Sequence, residues 1–157
     1  MTLVTAQTFS SRRKLIAVVM GTRPEAIKMA PVVHALRRQS DRFETVVVAT
    51  AQHRHMLDQV LSIFRIEPDI DLDLMRQDQS LSDLAARVLT TMDATLREVK
   101  PDLLMVQGDT TTVFAAAVAA FHRNIPVAHV EAGLRSHDLR NPFPEAQLAS
   151  ARHAYRW

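Results

Sequence analysis

The chain has 157 residues, of which 47% are apolar and 23% charged, enough to bury the core of one ordinary domain, and this composition argues against intrinsic disorder. It contains no cysteine, which excludes disulfides and cysteine-type zinc sites and favours a reducing cytoplasm. The formal net charge is +2, but residues 15–149 hold 14 basic against 17 acidic residues, so the pI of about 9.5 comes from the chain ends and does not indicate a nucleic-acid partner.

The apolar runs are too short for a membrane-spanning helix. The longest, Val113–Phe121, has nine residues, about half of the ~20 that a transmembrane helix needs. Basic residues before Leu15–Met20 imitate a secretory signal, but these six apolar residues are fewer than the ~7–15 of a signal core. We therefore interpret residues 1–14 as a basic leader before a buried strand.

Predicted strands and helices alternate along the chain. Four apolar runs with little polar alternation predict strands covered on both faces: Leu15–Met20, Glu44–Thr50, Leu103–Gln107 and Val127–Val130. The segments between them have helical periodicity: Pro24–Arg38, Gln52–Phe64, Leu81–Val99 and Thr111–Arg123. This alternation predicts an α/β fold with a Rossmann-like parallel sheet and helices on both faces.

Capping residues mark the starts of two predicted helices. Thr22 with Glu25 three residues on has the form of a capping box, and the same arrangement recurs at Ser80. Pro31 lies inside the first helix, where its ring should clash with the carbonyl four residues earlier. We therefore expect the first helix to kink or restart near Met29.

Polar residues follow the first predicted strand, and ligands of parallel sheets bind outside the carboxyl ends of the strands. Gly21 permits a tight turn, and the helix start after it would offer unpaired amides to an anion. Arg23 and Lys28 would add positive charge. The alternative is an ordinary strand–turn–helix with solvated cations, because a dinucleotide fingerprint needs more glycines.

The third predicted strand leads through Gly108 to Asp109 and three threonines. Asp109 could simply accept backbone hydrogen bonds as the helix cap. Alternatively, any of the threonines could cap the helix, which would leave Asp109 available to a ligand. At the end of the fourth strand, Glu131 is expected on the ligand side of the sheet, and His129 lies deeper on the same face of the strand.

The histidines do not predict a metal site. We interpret His129 as a hydrogen-bonded core residue rather than a ligand. His53 and His55 are two residues apart, which separates them by ~200° around a helix. A polar helix entry that touches a ligand or partner is the preferred interpretation of this segment.

Six motifs follow one another along the chain, at residues 21–31, 52–61, 100–102, 108–112, 129–135 and 142–145. Together and in this order they resemble the non-hydrolysing bacterial UDP-N-acetylglucosamine 2-epimerases. The resemblance runs from about Leu15 to Glu145. It implies the N-terminal half of a two-domain fold similar to the GT-B glycosyltransferases, with the active site in the cleft between two Rossmann-like halves. Residues 15–145 would be an incomplete N-terminal epimerase domain.

The resemblance also implies roles for individual residues. Arg23, Lys28, Asp109 and Glu131 match family positions that contact the nucleotide sugar or act in catalysis. Asp109 and Glu131, with Glu145, are the catalytic candidates, and their acid and base roles stay unassigned.

The implied reaction interconverts UDP-GlcNAc and UDP-ManNAc. UDP is eliminated to give 2-acetamidoglucal and is then added back, without a metal or other cofactor. The family resemblance further implies a cytoplasmic homodimer that serves cell-envelope polysaccharide biosynthesis, with no nucleic-acid or membrane partner. Gln52 and His53 would belong to a second, allosteric substrate site.

The sequence departs from the family pattern after Glu145. The family continues with a second acid and then Asn-Arg, whereas Ala146 and Gln147 follow here. We therefore expect residues 146–157 to be a non-family tail, and the chain to be a truncated, inactive fragment, as a frame slip would produce. The alternatives are an epimerase whose remainder lies outside this sequence, a non-catalytic nucleotide-sugar-binding fragment, and the N-terminal domain of a GT-B glycosyltransferase.

Overall fold

Strands and helices alternate through residues 12–50, 54–74, 76 and 78–130, which are the residues described by the computed structural model. The elements in chain order are β1 (Lys14–Met20), α1 (Arg23–Arg38), β2 (Phe43–Ala49), α2 (Arg54–Ile63), β3 (Ile70–Asp71), α3 (Leu81–Val99), β4 (Leu103–Gln107), α4 (Thr111–His122) and β5 (Val127–Val130). The strands pair in parallel in the order β3-β2-β1-β4-β5. The predicted α/β class is confirmed.

The sheet has an apolar layer on each face because successive strand residues point to opposite sides. Ile16 and Val18 of β1 pack on one face with residues of α1 and α2, among them Met29. Ala17 and Val19 pack on the other face with residues of α3 and α4. Burial on both faces explains why β1 is apolar along nearly its whole length.

Helix α1 runs without interruption through Pro31. Pro31 is exposed, and Ile27, whose carbonyl would accept the missing bond, is 47% exposed. The lost hydrogen bond therefore lies on the solvent side, where water can satisfy the carbonyl. The predicted restart near Met29 is wrong.

The short strand β3 has no counterpart among the predicted elements. Ile70 and Asp71 pair with Val48 and Ala49 of β2, so β3 extends the sheet beyond β2. A strand of two residues is too short to produce a periodic pattern in the sequence. Only its pairing with β2 defines it.

The first described residues are tied to the sheet. The side chains of Arg12 and Lys14 lie 2.8 and 3.3 Å from the Asp102 carboxylate. A hydrogen bond from the Leu15 amide, followed by these cations, lowers the pKa of Asp102. Residues 1–11 and 146–157 lie outside the described residues, so the predicted leader and tail stay predictions. Among the described residues, no helix is long and apolar enough to cross a membrane.

The residue that ends α3 is conformationally strained. Lys100 has φ 50° and ψ 56°, in the left-handed region, where a side chain costs roughly 1 kcal/mol relative to glycine. We expect Lys100→Gly to raise the free energy of unfolding by about 0.5–1 kcal/mol in urea denaturation. Lys100→Ala keeps the Cβ atom and should give no such gain. An equal gain in both variants would show that the backbone strain is not the cause.

Candidate active site at the carboxyl edge of the sheet

A topological switch point, the place where open α/β sheets form a crevice, lies between β1 and β4. These strands are neighbours, but β1 leads to α1 on one face of the sheet and β4 leads to α4 on the other. In open α/β sheets, ligands bind at such a switch point. The loops Gly21–Thr22 and Gly108–Thr110 border this β1/β4 crevice. The predicted site segments 21–28 and 108–112 therefore meet there.

The side chain of Glu25 connects the two loops. Its Oε2 atom accepts hydrogen bonds from the amides of Gly21 at 2.6 Å and Thr22 at 3.1 Å. Its Oε1 atom accepts one from the Thr110 hydroxyl at 2.7 Å. Glu25 is only 2% exposed. A buried carboxyl group thus joins the start of α1 to the start of α4.

The ionisation of Glu25 is altered by its surroundings. Burial raises the pKa of Glu25 above its ordinary value of 4.5, although the hydrogen bonds from Gly21, Thr110 and Thr22 act in the opposite direction. Because Oε2 already accepts two N–H groups, a proton on this carboxyl group would lie on Oε1 and could be donated to Thr110.

The sequence predicted Glu25 only as a capping residue, and its contact with the second loop was missed. A signal for its burial is present in the sequence. Glu25 lies four and eight residues before Met29 and Val33, which are both fully buried. Residues at this spacing share one face of a helix. Glu25 therefore occupies a position on the core-facing side of α1.

The bonds of Glu25 also correct an expectation about anion binding. The sequence predicted that amides at this helix start are free to bind an anion. The amides of Gly21 and Thr22 instead donate to the Glu25 carboxyl group, so these two are not available to an anion. Arg23 and Lys28 are both exposed on α1, the helix that begins beside these amides.

Asp109 is exposed beside the start of α4. The helix cap is Thr110, whose hydroxyl accepts a hydrogen bond from the Val113 amide at 3.3 Å. Asp109 is therefore not the cap. Gly108, with φ +81°, turns the chain immediately before it. Within the described part of the chain, Asp109 makes no hydrogen bond or ion pair, which leaves its carboxylate open to a ligand.

His129 supports the loop that carries Asp109. Its Nε2 atom lies 2.6 Å from the carbonyl oxygen of Gly108, which requires Nε2 to carry the proton. The side chain is half-buried. The hydrogen bond agrees with the interpretation of His129, whereas its half-buried position differs from the predicted place in the core.

Four predicted site residues lie outside the described residues: Gln52, His53, Glu131 and Glu145. Their roles stay predictions. Among the described residues, no group of three or more histidine, aspartate or glutamate side chains is arranged to hold a metal ion.

A separate surface cavity of about 210 Å³ lies at the far ends of α3 and α4. Its lining residues are Leu96, Arg97, Lys100, Pro101, Arg123 and Ile125. None of the predicted site residues is among them. The candidate site is therefore the β1/β4 crevice, where those residues that are described come together.

Comparison with known proteins decides the family. A family model described as UDP-N-acetylglucosamine 2-epimerase matches residues 34–154. The chain belongs to this epimerase family. It is 57% identical over 130 residues to the UDP-N-acetylglucosamine 2-epimerase of Yersinia pestis, an alignment that covers 83% of this chain and 34% of the relative. The chain thus spans about a third of the length of the curated relatives it matches.

Solved epimerase structures share the fold. A crystal structure of a UDP-N-acetylglucosamine 2-epimerase superposes with a TM-score of 0.83 at 45% identity, over 91% of this chain and 40% of the other. The UDP-GlcNAc 2-epimerase of Neisseria meningitidis, solved with bound UDP-GlcNAc, gives a TM-score of 0.78 at 50% identity, over 83% of this chain and 35% of the other. Both matches cover most of this chain and 35–40% of the epimerase structures.

Gly21 of this epimerase-family domain lies where a side chain has no room. A Cβ atom there would be 2.5 Å from Thr50 Oγ1 and 2.9 Å from Thr112 Oγ1. We expect Gly21→Ala to lower the free energy of unfolding by about 1–3 kcal/mol in urea denaturation, because the neighbours must move.

A double variant tests this cause. The Thr50 hydroxyl is buried and has no hydrogen-bond partner among the described residues, so Thr50→Ala removes the nearest obstacle without breaking a bond there. Gly21→Ala should therefore lower the free energy of unfolding less in a Thr50→Ala background than in the wild-type background. An equal loss in both backgrounds would contradict the steric explanation.

Proposed function

We propose that this chain supplies one wall of the active site of a UDP-N-acetylglucosamine 2-epimerase, which interconverts UDP-GlcNAc and UDP-ManNAc. The observation that carries the proposal is the exposure of Asp109 and its lack of a bonding partner among the described residues. Asp109 is an exposed acid at the β1/β4 crevice, and it makes no hydrogen bond or ion pair within the described residues. A carboxylate that bonds to no described residue, at the edge of the sheet where ligands bind, is available for acid–base chemistry.

The chemistry explains why several carboxylates are needed. Carbon 2 of the sugar has no adjacent carbonyl group, so its hydrogen is not acidic. In the proposed route a base removes this proton while the bond from carbon 1 to the UDP oxygen breaks, which leaves 2-acetamidoglucal with a double bond between carbons 1 and 2. UDP then adds back to carbon 1, and a proton is delivered to the opposite face of carbon 2.

Two differently placed acid–base groups follow from this inversion. A carboxylate near carbon 1 would also stabilise the positive charge that develops there, as in glycoside cleavage. Asp109, Glu131 and Glu145 are the proposed catalytic residues, and the family resemblance supports all three. Which of them acts as acid and which as base is left open.

The sheet register supports a site shared by Asp109 and Glu131. Gln107 of β4 pairs with Val130 of β5, and the Gly108 amide donates a hydrogen bond to the Val130 carbonyl at 3.2 Å. Asp109 follows Gly108 in the sequence, and Glu131 follows Val130. The described ends of β4 and β5 therefore lie side by side, and we propose that the two acids that follow them in the sequence share one site.

The nucleotide sugar brings a diphosphate that needs positive charge. Arg23 and Lys28 are exposed on α1, the helix that follows the Gly21–Thr22 loop, and we propose that they contact the diphosphate. The planar guanidinium of arginine suits two phosphate oxygens. The bound UDP-GlcNAc in the Neisseria meningitidis structure supports a nucleotide sugar as the ligand of this chain.

We extend the proposal to the setting that the family resemblance implies. The complete enzyme would be a cytoplasmic homodimer in cell-envelope polysaccharide biosynthesis, and it would use no cofactor. Gln52 and His53 would lie near a second substrate site. The cysteine-free composition supports a reducing compartment.

The proposal is tested with two proteins. The 157-residue polypeptide should not convert UDP-GlcNAc to UDP-ManNAc in a ¹H NMR assay, because the proposed cleft needs a second half. A chimera, in which residues 1–145 replace the matching segment of the Yersinia pestis relative, should convert it. This junction restores the relative's own sequence after Glu145.

Each outcome discriminates between the alternatives. Conversion by the 157-residue polypeptide alone would contradict the need for a second half. A folded chimera that binds UDP-GlcNAc without converting it would favour the non-catalytic binding alternative. Transfer of N-acetylhexosamine to an acceptor without epimerisation would favour the glycosyltransferase alternative.

A further inference from the structure

We propose that Glu25 is a positioning residue for Asp109. The structure joins its buried carboxyl group to both loops of the β1/β4 crevice, and this link sets the distance between the loop that carries Asp109 and the helix start that carries Arg23. The inference rests on the proposed function, since that function gives Asp109 its role.

Each oxygen of the Glu25 carboxyl group serves a different loop. Oε2 accepts from the Gly21 and Thr22 amides, and Oε1 accepts from the Thr110 hydroxyl. Thr110 is both the residue after Asp109 and the cap of α4. A displacement of the Glu25 carboxyl group would therefore move the backbone that carries Asp109.

These contacts exceed what a capping box requires. In a capping box the glutamate needs to accept a hydrogen bond only from the amide of the cap residue, and such a box also forms at an exposed helix start. The second oxygen of Glu25 instead reaches a residue 85 positions away in the sequence. Burial of a carboxyl group is unfavourable, and a purely apolar contact could join the loops at lower cost.

A hydrogen bond restricts distance and direction more narrowly than an apolar contact. Such restriction matters for a catalytic acid or base, because a misplacement of about 1 Å can lower a rate by about 100-fold. With 2% exposure, Glu25 does not contact substrate itself. Its effect on the reaction is indirect and passes through Thr110 to Asp109.

The first experiment measures the position of the Asp109 loop by NMR in the full 157-residue chain. Glu25→Ala should move the Asp109 amide and carboxyl signals and accelerate exchange of the Gly21 and Thr22 amides by about 10-fold or more. Glu25→Gln keeps an oxygen acceptor and should restore most of both. Unchanged Asp109 signals in folded Glu25→Ala would overturn the inference.

Two further variants separate position from general stability. Thr110→Gly removes the hydroxyl but keeps a residue that is nearly as good at a helix cap, and it should move the Asp109 signals as Glu25→Ala does. Val88→Ala truncates a fully buried side chain of α3 and should leave those signals in place. Equal movement of the Asp109 signals in Val88→Ala would overturn the inference.

The second experiment measures kinetics in the full-length Yersinia pestis relative, at the positions that match Glu25 and Asp109. Glu25→Ala should lower kcat by about 10- to 100-fold while KM stays within about 3-fold, since the loss concerns the reacting group more than binding. Glu25→Gln should recover most of the lost kcat.

The same assay separates this inference from the proposed function. An unimpaired Asp109→Asn enzyme would overturn the proposed role of Asp109. An impaired Asp109→Asn enzyme beside a folded Glu25→Ala enzyme with wild-type kcat would overturn the positioning role alone.

Discussion

Asp109→Asn in the chimera should lower kcat for UDP-ManNAc formation by about 10²- to 10⁴-fold and leave the thermal unfolding midpoint within about 2 °C of the parent. Asparagine keeps the shape of aspartate but can neither carry the charge nor exchange the proton. Stability should be retained because Asp109 is exposed and makes no hydrogen bond or ion pair within the described residues. NMR detection of the product and a thermal melt measure the two effects.

Asp41 provides a matched control for this substitution. It is an exposed aspartate before β2, at the opposite edge of the sheet, and it also makes no hydrogen bond or ion pair in the part of the chain that the structure describes. Asp41→Asn should leave both kcat and the melting midpoint unchanged. If Asp109→Asn lowered the stability and the rate together, a structural role for Asp109 would explain the result better than catalysis.

Glu25→Ala should lower the free energy of unfolding of the 157-residue chain by about 3 kcal/mol at neutral pH. The substitution removes the acceptor of three hydrogen bonds and leaves the amides of Gly21 and Thr22 without their partner. Because a typical domain is stabilised by only about 5–15 kcal/mol, this is a large fraction of the total. Urea denaturation followed by circular dichroism measures it.

Glu25→Gln separates the charge of this residue from its hydrogen bonds. The pKa of Glu25 is raised in the folded protein, mainly by burial. Its contribution to the free energy of unfolding is therefore fully present below pH 4.5 and is lost as the pH rises through the folded pKa. The stability of Glu25→Gln relative to wild type should therefore increase as the pH rises from 4.5 through the raised pKa of folded Glu25.

Two other carboxyl groups have the opposite pH dependence. A hydrogen bond from Arg123 lowers the pKa of Asp93, and one from the Leu15 amide lowers the pKa of Asp102. Their stabilising contributions are lost as the pH falls. Both groups are present in wild type and in Glu25→Gln, so the difference between the two proteins isolates Glu25. A difference that stays constant with pH would contradict the raised pKa.

The alternation of strands and helices could be predicted from the sequence because the buried strands are continuous apolar runs and the segments between them have helical periodicity. The predicted fourth strand, Val127–Val130, and third helix, Leu81–Val99, have the observed bounds. The failures have physical causes. The strand β3 is defined only by its pairing with β2, and the effect of Pro31 depends on which side of α1 faces solvent.

The candidate site could be predicted only in part. The position of Asp109 after a buried strand was visible in the sequence, and its exclusion from capping followed only from the structure. The contact between Glu25 and Thr110 could not be predicted, because the capping motif already accounts for Glu25. That contact also requires β1 and β4 to be neighbours, and alternation of strands and helices leaves the strand order open.

Of the five strands that the structure describes, β1 is central in the sheet and is also synthesised before the other four. β1 can pair with β2 soon after both are synthesised. Its other neighbour, β4, is distant in the sequence, as the pairing of Ile16 with Leu103 shows. At about 5–20 residues per second, several seconds of translation separate the two strands. An apolar strand with one open edge can pair with a second chain during that time. The yield of correctly assembled protein therefore depends on how well the nascent β1 is shielded until β4 is made.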